Sequence, residues 1–288
     1  MSFSRAARSI GASVTLQLNA EAARMRAAGE PVIHLGGGEP KSHAPQAAIE
    51  AGKAMLDSGE IRYTPASGTQ AMKDAVVAYT EMYYGRRVDR ANVIASAGAK
   101  QSIMVALLAL VDPGDEVVYP VPYWVSYPEM VKLAGGVSVP VAAKDGSFQP
   151  TVDEMLSAIT DKTKVVLLNS PGNPSGKILG LDLLRPLVEY CESKGIYVLF
   201  DDIYHRLVFD GRKFVHGYMC TDRPVDESTV VILNGVSKQY AMTGFRIGWS
   251  VGPKDLVKAM ANIQSHQSGN PCSLSQHAAV AAIHGAQG

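Results

Sequence analysis

The sequence has no surplus of either charge: Lys plus Arg and Asp plus Glu stand at 27 each. A surface so balanced offers no basic field to draw nucleic acid or an anionic membrane, so neither is expected as a partner. No apolar run approaches the roughly 20 residues of a membrane span. Cysteine is scarce, and Cys191, Cys220 and Cys272 are scattered without metal spacing, which argues for small buried thiols in a reducing compartment, the cytoplasm. Also lacking are a GxxxxGK[ST] phosphate loop and HExxH or CxxC spacings, so no metal is expected. The 7 histidines are dispersed, and no internal repeat or low-complexity segment is evident. The first thirty residues are rich in Arg, Ser and Ala but have no apolar signal core, and Glu21 and Glu30 suit a surface helix better than a transit peptide. What remains is an ordinary globular composition, 47% hydrophobic and 19% charged, in a chain of 288 residues that can bury a large core.

Apolar periodicity predicts helices over 21–28, 46–56, 70–84, 102–111, 152–159 and 181–193, with an extended segment over 31–35. Short β-branched or apolar runs over 93–96, 116–119, 137–142, 164–168, 196–200, 230–233 and 247–251 read as strands. From Asn92 onward strand and helix alternate, which predicts an α/β fold with a mainly parallel sheet. Ligands of such sheets sit at the carboxyl ends of the strands.

The chemistry-bearing residues collect at those ends. Ala97-Gly98-Ala99-Lys100-Gln101 is a small-residue turn between a strand and a helix, where free amides and the helix dipole favour an anion. Trp124, one of 2 tryptophans, follows a strand and can serve as a stacking plate or as plain core. Asn173 lies in the proline-rich turn 169–176, and the strand ending at Asp201 and Asp202 is followed by Tyr204. Lys238 comes after the strand that breaks at Asn234-Gly235, with Arg246 eight positions on. Each of these alone is more often a surface or core residue. Together they supply an amine able to form a Schiff base, an arginine and helix amides for a phosphate, an aromatic plate, a carboxylate for a ring nitrogen, and Asn and Tyr donors for a phenolic oxygen. That set suits pyridoxal 5′-phosphate.

Gly38-Glu39-Pro40, Tyr63, the 97–101 turn, the stretch 122–129, the turn 169–176, the segment 201–204 and the stretch 234–248 occur in an order and chemistry that resemble the class I/II aminotransferases of the fold-type I pyridoxal-phosphate enzymes, the bacterial aspartate aminotransferases most of all. The resemblance implies a three-layer αβα large domain with a mostly parallel seven-stranded sheet over 45–288, whose final strand is antiparallel. It assigns 1–44 to a small domain. It implies that Lys238 anchors the cofactor and carries protons, that Asp201 pairs with the ring nitrogen, and that Asn173 and Tyr204 bind the ring oxygen while Trp124 stacks. Arg246, Ser237 and the amides of Gly98, Ala99 and Lys100 would hold the phosphate, and Gly38, Trp124 and Asn173 would meet the substrate. Tyr63 would reach the cofactor phosphate of a second copy, which implies a homodimer with shared sites. The implied reaction moves an amino group between an L-amino acid and a 2-oxo acid.

Three departures stand out. The turn after Gly-Glu-Pro reads Lys41-Ser42-His43-Ala44-Pro45, unlike the family's usual Asp-Phe-Asp-Thr-Pro. Gly235 occupies a position where some relatives carry a phosphate-binding serine. The family pattern continues for about another hundred residues of C-terminal small domain, with an arginine that clamps the substrate carboxylate, and no residue here takes that role. A non-catalytic pyridoxal-phosphate binder and a lyase or synthase of the same fold are therefore alternatives.

Overall fold

The computed structural model describes residues 3–285. Residues 1–2 and 286–288 lie outside the described residues. The chain opens with α1 (Arg5–Ser9) and α2 (Val14–Ala27). The second starts well ahead of the expected residue 21, because Ser13 caps it by accepting from the Leu16 amide. Only Ala22 of α2 is buried, so there was no apolar stripe to mark its true length. The segment 31–35 forms no strand: it finds no pairing partner, and Ile33 and Leu35 are 90% and 89% exposed.

From Gln46 the chain builds one sheet with helices on both faces: α3 (Gln46–Ser58), α4 (Gln70–Tyr84), β1 (Val93–Ser96), α5 (Ala99–Leu110), β2 (Glu116–Pro120), α6 (Tyr127–Leu133), β3 (Val137–Val141), α7 (Val152–Ser157), β4 (Thr163–Asn169), α8 (Leu181–Lys194), β5 (Tyr197–Asp201), β6 (Val230–Gly235), β7 (Gly248–Val251), α9 (Lys254–Gln267) and α10 (Ser273–Gly285). Local signals fix many of the boundaries. Thr69 caps α4, Thr151 and Glu154 form a reciprocal capping box on α7, and Gly59, Gly85 and Gly195 end their helices in the left-handed conformation.

The seven strands run β1-β7-β6-β5-β4-β2-β3. All pairings are parallel except those of β7, which is antiparallel to both β1 and β6, as expected for the final strand. One face packs on α5, α6 and α9 through residues such as Ile103, Leu107, Val131 and Met260, and the other on α4, α8 and α10 through Val76, Leu184, Leu187 and Ala279. The expected three-layer αβα fold with a mostly parallel seven-stranded sheet is therefore present. β2 passes outward to β3 while β4 returns inward to β5, which places a topological switch between β2 and β4 and a crevice at their carboxyl ends.

Two boundary shifts matter for the site. Helix α5 begins at Ala99 rather than at 102, so the glycine turn is itself the helix N-terminus, with Gly98 at φ 88° as its cap. Strand β7 begins at Gly248 rather than at 247, and the left-handed Arg246, at φ 53°, turns the chain into it.

Gly248 sits where β7 crosses the start of α5. A methyl group there would come within 2.5 Å of the Gly98 carbonyl carbon and 2.8 Å of the Asn234 carbonyl oxygen, both backbone atoms that cannot swing away. Gly248→Ala is expected to lower the unfolding free energy by about 1–3 kcal/mol through overpacking, measured by chemical denaturation. An unchanged midpoint would show that the two segments can part freely.

Candidate functional site

Gly38, Ala99, Lys100, Trp124, Asn173, Asp201, Tyr204, Ser237, Lys238 and Arg246 line a single cleft of about 740 Å³ at the carboxyl ends of β4, β5 and β6. Two of the expected residues lie off its wall. Gly98 is buried behind it, where its missing side chain admits the Arg246 guanidinium: a Cβ at Gly98 would fall 2.5 Å from Arg246 Nη2. Tyr63 projects elsewhere and is 98% exposed. Its loop is nonetheless held from below, since Gln276 Nε2 donates to Thr64 Oγ1 at 3.1 Å while its Oε1 accepts from the Thr69 amide at 2.7 Å. Gln264 does the same service one residue class along, donating to the carbonyls of Ala66 and Ala95.

Asp201 ends β5 on the floor of the cleft. Its Oδ2 accepts from the Tyr127 hydroxyl at 2.7 Å, while Oδ1 is buried without a hydrogen-bond partner among the described residues. Burial pushes the carboxyl up to about 6, opposed chiefly by the Tyr127 hydroxyl. An unpaired buried acceptor is costly, so this oxygen is poised for a donor that enters the cleft. Asp202, next along, lies on the opposite side of the strand end against Tyr84 of α4, and burial pushes its carboxyl well up too. The adjacent acids thus divide: one faces the cleft, the other the core.

The turn after β4 is locked to β5. Asn169 donates to the Asp201 carbonyl at 2.6 Å and accepts from the Asn173 amide at 2.7 Å. That places the Asn173 side chain 3.3 Å from the Tyr204 hydroxyl, so two donors share one spot above the floor.

Lys238 Nζ donates to the Gly38 carbonyl at 2.7 Å. Its pKa is lowered, first by burial and then by the Arg246 charge, with the Glu39 and Asp201 carboxylates pulling the other way. Arg246 donates to the Thr243 carbonyl at 2.8 Å, and Thr243 is hydrogen-bonded to Glu39, which pins the glycine turn 36–38 across the cleft. Lys100 Nζ lies 4.7 Å from the centre of the Trp124 ring, and burial lowers its pKa.

Sequence reasoning gave no role to Tyr127 or Asn169, although both stand inside the quoted motifs. The available signal was position: Tyr127 comes three residues after Trp124, and Asn169 is the last residue of its strand. No group of three or more His, Cys, Asp or Glu that could hold a metal occurs among the described residues. No helix there is long and apolar enough to cross a membrane.

A doubly wound sheet with an amine, a buried acid and a helix N-terminus at one strand-end crevice defines an α/β protein of the enzyme type, with a cleft sized for a small molecule. Comparison narrows this. The family model for aminotransferase class I and II matches residues 30–288. The aspartate aminotransferase of Geobacillus stearothermophilus is 41% identical over all of this chain, which spans 73% of that protein. The aspartate/prephenate aminotransferase of Cereibacter sphaeroides is 40% identical over 96% of this chain and 69% of its own length. Among solved structures, the aspartate aminotransferase of Thermus thermophilus with maleate superposes with a TM-score of 0.92 at 34% identity, over 99% of this chain and 73% of the other. That of Rhizobium meliloti gives 0.92 at 38%, over 100% and 72%. The chain belongs to the class I and II aminotransferases.

Proposed function

We propose that this aminotransferase uses pyridoxal 5′-phosphate to move an amino group between an aspartate-like L-amino acid and a 2-oxo acid such as 2-oxoglutarate. The observation that carries the reading is Asp201 Oδ1, a buried acceptor that meets no well-aligned hydrogen-bond donor among the described residues, at the floor of the cleft that also holds the Lys238 amine. A protonated pyridine nitrogen is the donor it lacks.

When bound, the cofactor supplies a sink for the electron pair left on the substrate Cα. The protein's residues do the rest. Asp201 would keep the ring nitrogen protonated. Lys238 would anchor the cofactor and carry the proton to and from the substrate Cα, a task that needs a neutral amine, and burial shifts its pKa in that direction. Arg246, the Ser237 hydroxyl and the amides of Gly98, Ala99 and Lys100 would hold the phosphate. Trp124 would cover the ring, and Asn173 and Tyr204, already 3.3 Å apart, would converge on its oxygen. The Gly38 backbone, Trp124 and Asn173 would border the substrate. Lys100, held over Trp124, is the cation left for the second carboxylate of a dicarboxylic substrate.

The reading extends to a cytoplasmic homodimer, in which residues 1–44 belong with a small domain and 45–288 form the cofactor-binding domain. Its support is Tyr63, an exposed ring on a loop anchored by Gln276, outside its own chain's cleft and free to enter another.

The test is a half-reaction. Protein loaded with pyridoxal phosphate and mixed with aspartate is expected to yield oxaloacetate and the pyridoxamine form of the cofactor, followed by absorbance and mass spectrometry. Cofactor binding without product would make the chain a non-catalytic binder. A product other than the 2-oxo acid would make it a lyase or synthase.

A further inference from the structure

Lys238 lies in a turn that no regular structure holds. Strand β6 ends at Gly235, residues 237–240 form an irregular turn, and the next strand begins only at Gly248. Within it the Tyr240 amide donates to the Val236 carbonyl at 3.2 Å and the Ala241 amide to the Lys238 carbonyl at 3.4 Å, and side chains, some from far away in the sequence, brace it further. Gln239, the neighbour of Lys238, folds back so that its Nε2 donates to the Gly235 carbonyl at 2.9 Å. Its Oε1 accepts from the hydroxyl of Tyr79, on helix α4, at 2.6 Å. That hydroxyl is also 2.6 Å from His205 Nε2, and His205 Nδ1 is 3.1 Å from the amide of Asn234. Asn234 closes the set by accepting from the Gly235 amide at 2.7 Å and donating to the Tyr84 hydroxyl at 2.9 Å. Tyr79, Tyr84, His205 and Asn234 are all buried.

We propose that this buried clamp, running from Tyr79 and His205 to Gln239, positions Lys238: it fixes the Lys238 backbone so that the amine stands inside the cleft instead of swinging into solvent. The inference rests on the proposed role of Lys238 and adds a set of positioning residues behind it. The network is electrically neutral, since burial holds the His205 imidazole down to about 3 and pushes the Tyr79 and Tyr84 phenols up. It can therefore hold the turn through the working pH range without a charge that would compete with the cleft. A neutral, fully connected polar set is also stiff, because breaking any one link strands a buried partner.

Freed from the clamp, Lys238 would gain water, and its pKa would climb back towards the ordinary lysine value. Each unit of that rise removes about nine-tenths of the neutral amine at a fixed pH. Tyr79→Phe deletes one hydroxyl and keeps the ring packing, while Gln239→Met keeps the length and deletes both polar ends.

Two readouts on the full chain separate the possibilities. The first is borohydride trapping of pyridoxal phosphate on Lys238, located by peptide mapping. The second is the rate at which Lys238 of the cofactor-free protein is acetylated by acetic anhydride across pH. At about pH 7.5 either variant is expected to acetylate Lys238 more slowly than wild type, by more than about twofold. The double variant should be no slower than the worse single one, because both changes cut the same path. No adduct on wild-type Lys238 would overturn the functional reading itself. An adduct on wild type, with acetylation in both variants within twofold of wild type, would overturn the clamp while leaving that reading intact. A lowered melting temperature with unchanged acetylation counts against it in the same way, and Gln239→Met carries the test if Tyr79→Phe fails to fold.

Discussion

Lys238→Ala leaves a protein that folds, yields no borohydride-stable adduct with pyridoxal phosphate, and turns over at least about 10⁴-fold more slowly than wild type. The size of the loss follows from the two tasks placed on one amine. A positioned acid-base group contributes about 10²–10⁴-fold on its own, and the covalent anchor adds its own share by fixing the reacting atoms. No other group in the cleft can substitute. Arg246 is turned to the Thr243 carbonyl and Lys100 lies over the Trp124 ring, so neither stands where the Lys238 amine does. The fold should survive, because Lys238 is only half-buried and, among the described residues, its side chain hydrogen-bonds only to the exposed Gly38 carbonyl. Single-turnover kinetics with aspartate, alongside a melting curve, decide the matter. Turnover within tenfold of wild type would remove Lys238 from the chemistry.

The parts of this site that were legible in the sequence are those whose meaning is local. A strand end is marked by its own apolar run and the break that follows, so Asp201, Asn173, Lys238 and the Gly98 turn could be placed at one edge of a sheet before any contact was known. Helix α4 was legible to its last residue because Thr69 caps it and Gly85 ends it. The contacts that make the residues work together were not legible, because periodicity carries no information across long separations. Tyr127 reaches Asp201 across 74 positions, and Tyr79 reaches Gln239 across 160. Helix α9 escaped notice for a related reason. Its buried stripe of Leu256, Val257 and Met260 ends on Gln264, a polar residue buried for its bonds to Ser96, Ala66 and Ala95 and not for apolarity. Helix α10 is rich in alanine and buries Ser273, Ser275 and Gln276 while His277 and His284 face outward, so polarity does not mark its inner side and its packing on α3 and α4 does.

Asp201→Asn is expected to move stability and activity in opposite directions. In the cofactor-free wild type the carboxyl is pushed up to about 6 by burial, against 3.8 for an ordinary aspartate. A folded-state value above the unfolded one means that the fold holds the proton more tightly than the unfolded chain does. The associated stability is present in full below pH 3.8 and is lost as pH rises through about 6. Above that range the protein carries the cost of a buried, half-partnered carboxylate, roughly 3 kcal/mol for a shift of this size. Asparagine has no such charge. The cofactor-free variant should therefore be the more stable protein at pH 7.5–8 by about 1–3 kcal/mol, and the advantage should vanish below about pH 4. The slope contributed by Asp202 is largely common to both proteins, so the difference curve reports Asp201. Catalysis should fall, since an amide cannot keep a ring nitrogen protonated; loss of one preorganised electrostatic partner commonly costs about 10²–10³-fold. Denaturation midpoints between pH 4 and 8, paired with half-reaction rates on aspartate, test both arms. A variant that gained no stability at neutral pH would show that the Asp201 carboxylate is not the burden its burial implies. Near-normal rates would mean that the buried oxygen is not the partner of the cofactor ring.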